Sequence, residues 1–145
     1  MDRIWVLVAD SSRARLFEAA GPMGALEERT DLVMPSSRLL EQELVSDRPG
    51  RAFDSFGAGR HAMEPPTSAK EIASGRFAAE IAALLESERQ RGAYTWLVLV
   101  APPAFLGQLR GALSGSVKAL VSAELGKHLV ALDAEAIREH LPERL

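Results

Sequence analysis

A chain of 145 residues, 47% hydrophobic and 26% charged, has the size and balance of one ordinary globular domain that needs no staple to hold its core. Its net charge of −3 excludes a globally basic nucleic-acid binder but leaves room for a local basic patch. The absence of cysteine excludes disulfides, thiolate metal sites and thiol nucleophiles, and fits a reducing compartment.

The elements follow in chain order. Ile4–Ala9 is an unbroken apolar run rich in β-branched residues, the pattern of a strand covered on both faces. It is too short for a signal-peptide core or for a membrane span of about 20 residues, so the sequence predicts no membrane insertion and a cytoplasmic location. Asp10-Ser11-Ser12 supplies turn chemistry, because short polar side chains bond their own backbone. Arg13–Ala19 then alternates, with Ala14, Leu16 and Glu18 on one face and Arg15 and Phe17 on the other, and predicts the return strand of a hairpin. Gly21-Pro22-Met23-Gly24 is a second turn. A weaker third strand is expected over 26–34, closing before Pro35.

Residues 35–66 keep no periodicity beyond a helical turn or two over 36–45. A stretch of this length inside a compact domain is usually functional or disordered. Ser68-Ala69-Lys70-Glu71 is a capping box that opens a helix to about Arg91, with Ile72, Ala73, Phe77, Ile81, Leu84 and Leu85 as its apolar stripe. Gly92 ends it. Residues 94–101, with the all-apolar run Trp96–Val100 inside them, predict a central strand, and Trp5 and Trp96 both read as core. Pro102-Pro103 opens the next helix, whose stripe is Phe105, Leu106, Leu109, Leu113 and Val117. A short last strand is expected over 120–125. Asp133 caps a final helix over 134–140, where Arg138 reads as a surface charge of little consequence for binding. The order β-β-β, long loop, α-β-α-β-α predicts an α/β fold: one domain with a ribonuclease-H-like mixed sheet of about five strands.

Several chemistries find little support. A two-metal nuclease needs carboxylates at neighbouring strand ends. Asp10 ends the first strand, but the central strand ends at Ala101-Pro102-Pro103, with no acid. His61, His128 and His140 have no metal-site spacing, so no metal and no cofactor is expected. No serine stands in a Gly-x-Ser-x-Gly context. Gly57-Ala58-Gly59 lacks the preceding strand and the Gly-Lys-Ser/Thr of a phosphate loop. The informative piece is the loop from Arg48 to His61, which sets Arg48, Arg51 and Arg60 against Asp54 in an acidic chain. Gly50, Gly57 and Gly59 allow a partner close to the backbone. Arginine suits phosphate through its planar donor fork, and Phe53 and Phe56 offer faces for bases. The same residues also suit a plain surface loop with solvated arginines.

The segments Trp5–Arg15, Ser46–Arg51, Gly57–Ala62, the helix carrying Phe77, and Val98–Gly107 resemble the bacterial host-attachment protein family over nearly the whole chain. That family is similar in turn to a release-factor-like group, which resembles the middle domain of eukaryotic and archaeal peptide-chain release factors. The resemblance implies a ribonuclease-H-like sheet and a glycine-rich loop that faces the ribosome ahead of a long helix. This chain departs from the release factors in having no Gly-Gly-Gln: its glutamines are Gln42, Gln90 and Gln108. The expectation is therefore a non-catalytic, ribosome- or RNA-associated binding module that meets its partner through Arg48, Arg51, Gly57, Gly59, Arg60 and His61. The alternatives are a peptidyl-tRNA hydrolase or nuclease-like enzyme working with Asp10, Arg60 and His61, and a protein-interaction domain involved in attachment to host cells.

Overall fold

A computed structural model describes residues 2–33 and 69–145. The chain forms β1 (Ile4–Ala9), β2 (Arg13–Ala19), β3 (Leu26–Val33), α1 (Ala69–Gln90), β4 (Trp96–Val100), α2 (Pro103–Ala112), α3 (Gly115–Lys118), β5 (Val121–Leu125) and α4 (Ala134–Glu139). The sheet order is β3-β2-β1-β4-β5. The first three strands form an antiparallel meander, and β4 and β5 join parallel to β1. The mixed five-stranded sheet expected from the sequence is present. The cap expected at Ser68 lies outside the described residues.

The apolar run of β1 follows from its central place in the sheet. Trp5, Leu7 and Ala9 face α1 and α2 in a cluster with Phe77, Ile81, Leu85, Phe105 and Leu109. Ile4, Val6 and Val8 face the opposite cluster, built with Leu129, Val130, Ile137 and Leu141 of the C-terminal arm. With both faces covered, no position of β1 can be polar. Gly92, at φ +73°, takes the left-handed conformation that turns the chain out of α1. Tyr94 then stacks on Trp5 at 5.1 Å and donates its hydroxyl to the Leu85 carbonyl. Burial pushes its phenol up to about 12.

Three expectations are corrected. Trp96 is 41% exposed, because it is the first residue of β4 and the α4 arm packs over the far side of the sheet against β3. The stripe from Phe105 to Val117 is buried but belongs to two helices. The chain extends at Leu113, and Ser114 starts α3 by accepting a hydrogen bond from the Val117 amide. Ile72 is 48% exposed. The buried stripe of α1 runs through Ala73, Phe77, Ile81 and Leu85, and Ile72 stands about 100° away from Ala73 around the axis.

Two arginines hold the C-terminal arm. The Arg15 side chain grips both carboxylate oxygens of Glu28 and donates to the Val130 and Leu132 carbonyls at 2.7 and 2.6 Å. Arg138 donates to the Gly24 carbonyl at 2.8 Å and to those of Pro142 and Glu143 at 2.7 Å. It is a structural tie and not a spectator charge.

Glu86 ties α1 to α3, accepting from Arg89, Gln90 and the Ser114 hydroxyl. The Arg89 hydrogen bonds first, and then that of Ser114, lower its carboxyl to about 2. A carboxyl lower in the folded than in the unfolded chain stabilises the fold above its unfolded value and loses that contribution as pH falls through the folded one. Stability is therefore expected to decline as pH falls from 4.5 to about 2. Glu86→Gln should flatten that part of the curve, and urea titrations of both proteins across this window check it.

Candidate functional site at the carboxyl edge of the sheet

The parallel strands β1, β4 and β5 end on one edge of the sheet. Two antiparallel steps bring β3 round to the same direction as β1, so it ends there too, at Val33. The N-terminus of α1 lies at this edge as well, because Lys70, Glu71 and Ser74 share a cleft with Ser11, Ala104 and Gln108. The chain thus leaves the edge at Val33 and returns to it at Ala69. Arg48, Arg51, Gly57, Gly59, Arg60 and His61 all belong to the intervening segment and lie outside the described residues. What the structure gives of their setting is where that segment is anchored at both ends.

The cleft has a volume of about 320 Å³. One wall is the β1–β2 turn. Asp10 accepts the Ser12 and Arg13 amides on Oδ1, each at 2.9 Å, which holds Ser11 at the mouth. The other wall is where α1 meets α2. There the Glu71 carbonyl accepts from the Ser74 hydroxyl at 3.1 Å and from Gln108 Nε2 at 3.4 Å. Phe77 and Phe105 stack beneath at 5.8 Å and fix the two helices against each other.

Beyond the turn, the chain leaving β5 packs close. A Cβ placed on Gly126 would lie 3.4 Å from Pro103 Cγ. His128 then reaches back so that Nε2 lies 3.3 Å from Asp10 Oδ2. Asp10 is thus a turn former, as the sequence indicated, and also the partner of a histidine 118 positions away. No local signal could have revealed that pairing. Among the described residues no group of three or more histidine, aspartate or glutamate side chains could hold a metal ion. No helix among them is long and apolar enough to cross a membrane.

The sequence model of the family described as "Protein required for attachment to host cells" matches residues 5–141. No curated protein matches the chain. Among solved structures, the chain is similar to the crystal structure of an archaeal translation termination factor, aRF1, with 16% sequence identity and a TM-score of 0.44. The likeness covers 97% of this chain and 35% of that one, so the chain spans little more than a third of that factor's length.

Proposed function

The chain belongs to the family of proteins required for attachment to host cells, and from that starting point we propose that it is a non-catalytic binding module that meets RNA, in the setting of the ribosome, through the segment between β3 and α1. The reading belongs to a cytoplasmic protein. Arg48, Arg51 and Arg60 contact phosphate, Gly57 and Gly59 let the backbone come close, and His61 lies beside them in the chain. One observation carries the proposal. Residues 48–61, which set three arginines against one aspartate, lie within a segment that starts and ends at the carboxyl edge of the parallel strands, where open α/β sheets hold their ligands. A cleft lined in part by polar side chains lies at the same edge. Binding is favoured over catalysis because Asp10, the acid that the enzymatic alternative would use, is engaged by its own turn and by His128.

The test is a salt titration of RNA binding by the wild type and by a triple variant, Arg48→Gln, Arg51→Gln and Arg60→Gln. Each phosphate contact on a single strand adds about −0.7 to the slope of log affinity against log salt. The triple variant should flatten the slope by about 2 and bind roughly tenfold or more weakly at low salt. Its stability should change by less than about 0.5 kcal/mol, as solvated charges usually do. Arg91→Gln is a fit control: Arg91 follows the far end of α1 with a 74% exposed side chain. Unchanged affinity and slope in the triple variant would sink the proposal and favour a protein partner.

A further inference from the structure

Resting on the RNA reading, we infer that the carboxyl edge is itself a second set of RNA contacts, with Lys70 and Lys127 taking phosphates on either side of the Asp10–Ser12 turn and the cleft taking one nucleoside unit.

The charges of the described body support this. Arg3 and Arg29 pair with Glu18, Arg15 with Glu28, Arg89 with Glu86, Arg91 with Glu88 and Arg110 with Glu124. Lys70 and Lys127, like Arg76, Lys118 and Arg144, are exposed and make no ion pair among the described residues; it is their place that sets the two lysines apart. Both sit at the edge to which residues 34–68 are anchored. Lys70 lines the cleft with Ser11 and Ala104. Lys127 follows Gly126, which packs on Pro103, the residue before Ala104, and precedes His128, which lies against Asp10. The order along the edge is therefore Lys70, Ser11, Asp10, His128, Lys127, a band with a cation at each end and with Glu71 beside Lys70 in the cleft. The Asp10 carboxylate within it accepts two turn amides, which lowers its repulsion of a polyanion. Lysine suits this role as a mobile point charge at the end of a flexible stem.

The cleft fits the remaining part of the ligand. At about 320 Å³ it stands at the small end of ligand pockets, which run from roughly 300 to 1,000 Å³. The Gln108 carboxamide can both donate and accept. Among the described residues Gln108 bonds through Nε2, at 3.4 Å, and not through its carbonyl oxygen. This group brings hydrogen bonding without charge, so its contribution is separable from that of the lysines.

A short polyuridine oligonucleotide is the probe. Its binding is titrated with salt for the wild type, the loop triple variant, an edge variant (Lys70→Gln with Lys127→Gln) and Gln108→Ala, with thermal unfolding confirming that each is folded. The edge variant should flatten the slope by about 1.4, two contacts of about 0.7 each, with the loop arginines intact. Gln108→Ala should weaken binding severalfold and leave the slope alone. A wild-type slope in the edge variant beside a flattened slope in the triple variant overturns this inference and leaves the loop proposal standing. The reverse pattern keeps the edge contacts and removes the loop's role. No polyuridine binding by the wild type overturns both. Complete displacement of the oligonucleotide by equimolar uridine monophosphate marks a mononucleotide pocket and overturns the strand-binding inference.

Discussion

Arg15→Met is expected to lower the stability of the fold by about 3 kcal/mol, which for a chain of this size shifts the unfolding midpoint by roughly 10 °C. The Arg15 side chain is 9% exposed, and its donors serve four acceptors. Methionine keeps much of the volume and removes every donor. The Val130 and Leu132 carbonyls then lose the Arg15 bonds that fasten the arm to β2, and a buried acceptor without a partner costs about 1–3 kcal/mol. Glu28 loses less, because a third of its side chain is exposed and water can replace the guanidinium. Adding Glu28→Gln to Arg15→Met should therefore recover only a small part of the loss. Denaturant titrations of the two single variants and the double variant measure this. A double variant restored to wild-type stability would show that the ion pair, and not the two carbonyls, is what Arg15 serves.

Phe77→Ala is expected to cost about 4 kcal/mol, the usual range for a fully buried aromatic being 3–5 kcal/mol. Phe77 is wholly buried and stacks on Phe105 between α1 and α2, so its loss leaves a void under the cleft. Phe77→Leu refills most of that void and should cost less than about 1.5 kcal/mol. Denaturant titration gives both values. Hydrogen exchange should show the Phe77→Ala loss spreading through α1 and α2 while the β1–β2 hairpin stays protected. Equal losses from the leucine and alanine variants would mean that the site collapses around either residue.

Parts of this fold are legible in the sequence because they depend on short-range patterns. β1 reads correctly because a strand covered on both faces can carry no polar residue. The bounds of β2 read correctly because Asp10 and Ser12 end one strand and begin the next. α1 follows from its buried residues at intervals of three and four. The misreadings come from packing at a distance. An apolar run does not say which of its ends is covered, so Trp96 reads as core. One stripe cannot show that Ser114 caps a new helix inside it. Arg138 reads as a solvated helix charge, because carbonyls of Gly24, Pro142 and Glu143 enter no sequence pattern. The pairing of His128 with Asp10, which closes the candidate site, depends on the parallel placement of β1, β4 and β5. The loop residues expected to meet RNA lie outside the described residues, and the structure bears on them only through the anchors at Val33 and Ala69.

The most direct measurement of the central claim is co-sedimentation of the wild-type protein with purified ribosomes across a range of salt concentrations. Phosphate contacts release counterions, so the account predicts binding at low salt that falls along a straight line in log affinity against log salt. With three loop arginines and two edge lysines engaged, the slope should be about −3.5, each contact adding about −0.7. Absence of co-sedimentation at low salt, or binding whose affinity does not change with salt, would contradict it.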